Sequence, residues 1–469
     1  VPSDGGLEAM LIATRAQVRW GRPPPSSASP RARSPATPPR LAARTDDVAR
    51  SAVARSAVLA GAALCAAQGA HCLRLRRRAR RHPACRRRAG AAAQGLDAPG
   101  APPTVQRVGS GVAGDRFIWE WKPCVNVHYE RLLPSTTDPA GAAVVMVHGF
   151  GAESGYYASQ LEAVAGAGIT AYALDLLGQG QSWPSKDPAP DREPSTGDRE
   201  AIWGWGDSLD ENFDGGLDFG EPAWLEQLTA FVRAAVPEER VYLLGNSLGG
   251  YLAAKMAARE GTARGKVRGL ILANATPFWG WTREGLTPWD GSFPAPGWTR
   301  PLATTWFGAL RTNIESLLSI VYAVPDNDIV RSDLHSISLR IAEAASHPMG
   351  PAAFASILFA PVQEPSFGDA LDSLAGRDLP MLLLYGEDDP WILPWWARRA
   401  ASRVTGRGEY YAISPAGHCP HHEAPAAFNR VLVDWLRRRE GGASGPALLA
   451  VGECLEGPAH EAERAGAAC

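Results

Sequence analysis

Ser247 stands in "VYLLGNSLGG", Val241 to Gly250, with Gly245 two residues before it and Gly249 two residues after. That spacing lets a strand reverse sharply into a helix without side-chain clashes and leaves the serine at the apex. An apex at a helix N-terminus gathers free backbone N–H groups and the positive end of the helix dipole. A serine alkoxide and a tetrahedral oxyanion both need that environment. The same five residues also suit a plain loop with a satisfied hydroxyl, so partner groups elsewhere must decide.

A serine nucleophile needs a base, an acid that orients the base, and an oxyanion hole; in an elbow hydrolase they follow in the order serine, acid, histidine. After the apolar run "MLLLYG" (Met381 to Gly386) comes "EDDPW", which places Asp389 on a loop stiffened by Pro390 and Pro394. Asp388 is the alternative acid one residue away; it and Glu387 read as solvated or helix-capping groups. After "EYYAIS" comes "PAGHCPHHEAP", in which His418 follows Gly417 directly and is the expected base. His421 and His422 read as exposed residues at a helix start. These histidines lack a carboxylate at metal-ligand spacing, so a metal site is discounted. Two inward-pointing N–H groups are expected from Leu248, next to the serine, and from Phe150 in "VVMVHGFGAES". His148 in that stretch reads as a loop-orienting group. No metal or organic cofactor is required by this chemistry.

Each of these groups follows its own apolar run. The runs "FIWEWK", "VNVHYERL", "AAVVMVH", "TAYALDL", "VYLLGN", "GLILANA", "MLLLYG" and "EYYAIS" alternate with helical stretches such as "PAWLEQLTAFVRAAV". The central runs are continuously apolar, as strands buried on both faces must be. Alternation of this kind implies an α/β protein with a mostly parallel, doubly wound sheet and an antiparallel edge, the α/β-hydrolase fold. The interval 276–376, after the sixth of these strands, is too polar and irregular for sheet and reads as a helical cap over the carboxyl edge. It holds Phe278, Trp279, Trp281, Trp289, Phe293, Trp298, Trp306 and Phe307. These aromatics serve equally as the cap's own core or as an apolar acyl or ring pocket, with Phe278, Trp279, Trp281 and Trp391 as its expected lining. The expected division is a leader over 1–110, hydrolase core over 111–275 and 377–440, and a low-complexity tail over 441–469.

The leader differs from the rest in charge. Residues 1–95 carry 18 arginines, no lysine and 4 acidic residues, although the whole chain nets −2. Stretches such as "GRPPPSSASPRARSPATPPR" have too few large apolar residues to bury a core. An Arg- and Ser-rich, acid-poor leader is the composition of an organelle transit peptide, and "AVLAGAALCAAQGA" is short for a membrane span. The cluster "RLRRRARRHPACRRR" has no interleaved aromatics, so nucleic acid is not the expected partner. The 7 cysteines are scattered and odd in number, which fits a reducing compartment rather than a disulfide scaffold.

"GNSLGGY", "LANATPFWGW", "HPMGPAAFASILFAP", "YGEDDPWILPWW" and "ISPAGHCPHHEAP" together resemble the pheophytinase family, plastid α/β hydrolases of plants and algae that remove phytol from magnesium-free chlorophyll. The resemblance runs over most of Ala142 to Arg437. It implies that Ser247, Asp389 and His418 are nucleophile, acid and base, that the substrate is a hydrophobic pigment ester, and that the protein works in the plastid, peripherally associated with thylakoid membrane or with pigment-breakdown enzymes. Chlorophyll dephytylase, a general plastid carboxylesterase or lipase, a cofactor-free perhydrolase and a non-catalytic binding protein of the same fold are the alternatives.

Overall fold

The computed structural model describes residues 104–135, 140–187, 203–206, 217–259, 265–280, 289–324, 327–377, 379–404, 406, 408–441 and 454–455. Nearly all of the expected leader, most of the tail, and Trp281 lie outside them. The strands are β1 (Val105–Ser110), β2 (Asp115–Lys122), β3 (Val125–Leu132), β4 (Ala142–Val147), β5 (Thr170–Leu174), β6 (Arg240–Asn246), β7 (Val267–Ala273), β8 (Met381–Gly386), β9 (Gly408–Ile413) and β10 (Cys454–Leu455). They form one sheet in the order β1-β2-β3-β5-β4-β6-β7-β8-β9-β10. From β5 onward neighbours run parallel, and β1, β2 and β3 form the antiparallel edge.

Alternate residues of the central strands feed two cores, as the pleat demands. Val145 and Val147 of β4 join one core with Trp224 and Phe231 of α2 (Glu221–Ala234) and Leu252 of α3 (Leu248–Ala258). Val144 and Met146 join the other with Leu161 of α1 (Ala158–Gly166) and with Phe428 and Trp435 of the C-terminal helix Pro425–Arg439. Each fully buried side chain of this size contributes about 1.5–3 kcal/mol, so the central strands, packed on both faces, are held in register.

Register then sets the site. Val147 pairs with Gly245, Asn246 with Ala273, and Ala273 with Leu384. The carboxyl ends of β4, β6, β7 and β8 therefore finish level, and the loops that follow them converge on one edge of the sheet.

Two expected boundaries shift. β1 lies within the interval assigned to the leader; its residues are almost all exposed, so no apolar alternation marks it. Because of it, the strand before the cap is the seventh. Cys454–Leu455 in the expected tail pairs with Ala412 and Ile413 of β9.

Between β7 and β8 the chain forms α4 (Arg300–Thr312), α5 (Ile314–Ser319), α6 (Asp328–Ala344), α7 (Gly350–Phe359) and α8 (Phe367–Gly376). The last of these returns to the core, where Phe367 stacks on Tyr251 with ring centroids 6.0 Å apart. Trp289 and Phe293 are buried, whereas Trp298 is exposed.

Candidate active site

The backbone of Ser247 answers the question raised by its flanking glycines. Ser247 itself takes the left-handed conformation (φ 52°, ψ −119°) and forms the N-cap of α3. Strain of this kind costs about 1–3 kcal/mol and persists only where surroundings impose it. Its N–H donates to the Ala273 carbonyl at 3.0 Å and its carbonyl accepts from Thr276 N–H at 3.1 Å. The glycines are there for room. A Cβ on Gly249 would lie 1.9 Å from the Val147 carbonyl oxygen, and one on Gly245 would lie 2.3 Å from the backbone of Gly249. Gly249→Ala is accordingly expected to lower stability by about 3 kcal/mol or more, seen as a large drop in Tm; an unchanged melt contradicts this packing.

Asp389 is buried at 3% exposure and binds four donors. Its Oδ1 accepts from the backbone N–H of Trp391 (2.7 Å) and Ile392 (3.0 Å). Its Oδ2 accepts from Asn274 Nδ2 (2.6 Å) and His418 Nδ1 (2.8 Å). A carboxylate only accepts, so Nδ1 carries the ring proton and Nε2 presents a lone pair. Asp388 is exposed and accepts from Ser414 Oγ at 3.1 Å. The histidine loop is tied to the elbow by Asn246, whose Nδ2 donates to the His418 carbonyl at 2.9 Å.

The loop after β4 borders the serine. A Cβ on Gly149 would sit 3.1 Å from Ser247 Cβ. His148 Nδ1 donates to the Gly149 carbonyl at 2.7 Å and Nε2 accepts from Leu176 N–H at 3.0 Å, so both ring nitrogens are occupied in shaping that loop. Phe150 follows, half-exposed, with its ring 5.2 Å from that of Trp279. Leu248 opens α3, where a backbone N–H has no intrahelical partner.

Comparison with known proteins identifies the family. The model of the "Alpha/beta hydrolase family" matches residues 144–431. The chain belongs to the alpha/beta hydrolase family. It is also similar to the chloroplastic pheophytinase of Arabidopsis thaliana, with 37% identity over 337 residues, covering 69% of this chain and 66% of that protein. The chain thus spans just under two thirds of that relative's length. Solved structures with a likeness include a bromoperoxidase from Bacillus anthracis (17% identity, 67% of this chain and 96% of that one, TM-score 0.46). Another is a thermophilic esterase from Thermogutta terrifontis (18% identity, 72% and 100%, TM-score 0.46). Both are likenesses of fold alone.

Several residues of the candidate site have weak sequence signals. Asn274 has positive φ (42°), donates to Asp389 and accepts from Gly386 N–H at 2.8 Å, so it fixes the acid from the neighbouring strand end. A polar residue directly after the apolar run "LILA" is the only hint of it. Glu423 bolts the histidine loop to the cap: Oε1 accepts from Gly417 N–H (2.7 Å), and Oε2 from Ala323 (2.9 Å) and Val324 (3.3 Å). His418 N–H also donates to the cap carbonyl of Val321 at 3.0 Å.

His421 and His422 are buried, not exposed as the helix-start reading expects. They lie in the short helix Pro420–Glu423, packed against aromatic rings. His421 lies 5.0 Å from Tyr157 and His422 lies 5.1 Å from Tyr156, between ring centroids. Burial lowers both imidazole pKa values, and His422 Nδ1 bonds the Tyr322 hydroxyl at 3.1 Å. Tyr156, Tyr157 and Phe428 cover His421, and the cap's Tyr322 covers His422, which local pattern does not show.

A cavity of about 70 Å³ is walled by Phe150, Gln179, Trp183, Phe307 and Phe354 among others, and none of Phe278, Trp279 or Trp391 lines it. Trp391 is 57% exposed with its ring 6.4 Å from that of His418; Phe278, equally exposed, faces Trp396. Trp279 backs Phe150. The cavity wall comes from the loops after β4 and β5 and from cap helices α4, α6 and α7, whose inward faces depend on how they cross the core.

Burial raises the Glu423 carboxyl to about 7, against the opposing pull of the Gly417, Val324 and Ala323 N–H groups. A carboxyl whose folded pKa exceeds its unfolded one gives stability that is full below about 4.5 and is lost as pH rises through about 7. Between those limits the wild type should lose about 3 kcal/mol relative to Glu423→Gln, which does not titrate. Denaturation of both proteins across this range checks it; a pH-independent difference contradicts it.

Proposed function

We propose that this chain is a serine hydrolase that cleaves the phytyl ester of pheophytin, giving pheophorbide and phytol. The observation that carries the reading is the Asp389–His418 hydrogen bond, with the His418 carbonyl bonded to Asn246 of the serine elbow, in a chain 37% identical to a chloroplastic pheophytinase.

In the proposed mechanism His418 Nε2 takes the Ser247 hydroxyl proton as Oγ attacks the ester carbonyl, while Asp389 holds the imidazole and stabilises its charge. The N–H groups of Phe150 and Leu248 receive the oxyanion. Collapse breaks the carbon–oxygen bond to phytol, which leaves with the proton from His418. Water then loses a proton to His418 and attacks the acyl-serine, which releases the carboxylic acid and restores Ser247. Protein side chains and water suffice for every step.

A long apolar alcohol and a flat ring favour a site with aromatic surroundings. Phe278 and Trp391 flank the mouth in this reading and Trp279 supports Phe150. The Arg-rich leader and the location in the relative's name support work in the chloroplast, and a lipid-soluble substrate suits peripheral contact with thylakoid membrane. Incubation with pheophytin, chlorophyll and a short p-nitrophenyl ester in parallel, followed by chromatography, tests the substrate. Pheophorbide as the main product is expected. Equal chlorophyllide makes the protein a general dephytylase, and turnover of the short ester alone makes it a plain carboxylesterase.

A further inference from the structure

Gln179 sits in the loop after β5, between Gly178 (φ 83°) and Gly180 (φ 52°). Its backbone is held on both sides: its N–H donates to the Leu176 carbonyl at 2.9 Å, and its carbonyl accepts from Ser182 N–H at 3.1 Å. The residue is 6% exposed. Oε1 accepts from Gly151 N–H at 2.7 Å, which fixes the orientation of the amide. Nε2 is buried and has no hydrogen-bond partner among the described residues. A donor removed from water and left unpaired is costly and calls for an explanation.

The surroundings supply one. Gln179 and Gly151 both line the cavity beside the candidate oxyanion loop, together with the apolar side chains of Phe150, Trp183, Phe307 and Phe354. Gly149, two residues before Gly151, is the one that borders Ser247. Gln179 thus brings one unpaired amide donor to the wall of an apolar cavity, beside the candidate oxyanion loop. We propose that Gln179 contacts the substrate: Nε2 donates to a carbonyl oxygen of the bound ester, while Oε1 keeps Gly151 in place. This rests on the ester-hydrolase reading. The acceptor is the scissile carbonyl or a second carbonyl in the acyl half, and both use the same chemistry.

Kinetics of the full chain on pheophytin and on phytyl acetate separate these roles. Gln179→Glu retains an oxygen for Gly151 N–H but replaces the amide donor with a second oxygen, whereas Gln179→Met removes both. Both variants should lose about tenfold or more in kcat/KM on pheophytin. A loss on both esters assigns the scissile carbonyl; a rise in KM on pheophytin alone assigns a second one. To exclude the charge of the glutamate as the cause, pheophytin binding is compared between Ser247→Ala and Ser247→Ala/Gln179→Met. About tenfold weaker binding is expected of the double variant. Wild-type kinetics for Gln179→Glu overturn the proposal, whether or not Gln179→Met is impaired, since only a loop-holding role is then left. A wild type inactive on both esters overturns the hydrolase reading itself, and one active on phytyl acetate alone removes the pigment while Gln179 is still judged on that ester.

Discussion

Ser247→Ala is expected to lower kcat on pheophytin by about 10⁶-fold, the scale seen when the nucleophile of a serine triad is removed, and to leave the fold intact. The structure explains why the two effects separate. The Ser247 side chain makes no capping hydrogen bond to α3, so alanine forfeits none, and the strained backbone is held by Ala273 and Thr276 through main-chain atoms that alanine retains. Ser247→Gly should raise stability by about 1 kcal/mol or more, because glycine takes φ 52° without strain. A protein that becomes more stable on losing its serine is spending that strain on chemistry. Substantial activity in Ser247→Ala would remove the nucleophile from the account.

Asp389→Asn carries the second largest effect, about 10⁴-fold in kcat, and the hydrogen bonds show how. Oδ1 faces two backbone N–H groups, from Trp391 and Ile392, so the oxygen of an asparagine must remain on that side. Its NH₂ then replaces Oδ2, opposite Asn274 Nδ2 and His418 Nδ1. Two donors now face the histidine edge, which drives Nδ1 to become the acceptor and puts the ring proton on Nε2. His418 can no longer take a proton from Ser247. Asp388→Asn, one residue away but exposed and paired only with a surface serine, should stay within a few-fold of wild type. The reverse ranking would transfer the orienting role to Asp388.

The parts of this molecule that local pattern announces are those fixed by local physics. Continuous apolar runs mark β4, β6, β7 and β8 because strands covered on both faces admit nothing else. The elbow glycines are readable because no side chain fits between α3 and the end of β4. β1 escapes notice because its side chains are almost all exposed and impose no alternation. His421 and His422 look like helix-start surface residues until Tyr157 and Phe428 cover the first and Tyr322 and α6 of the cap cover the second. Asn274, Gln179 and Glu423 each work through a partner from a distant part of the chain, as Glu423 does with Ala323 and Val324, and neither periodicity nor spacing encodes such pairings. The cavity wall follows the same rule: Phe307 and Phe354 reach it because of how two cap helices cross, a tertiary fact.

In the proposed mechanism Ser247 carries the acyl half of a phytyl ester during turnover. The most direct test is to mix the full chain with pheophytin, quench with acid within the first turnovers, digest, and search by mass spectrometry for a pheophorbide ester on the peptide that holds "GNSLGG". The adduct is expected on Ser247, formed together with a burst of phytol of at most one equivalent per chain and missing from Ser247→Ala. Steady phytol release with no adduct, and equal release from Ser247→Ala, would contradict it.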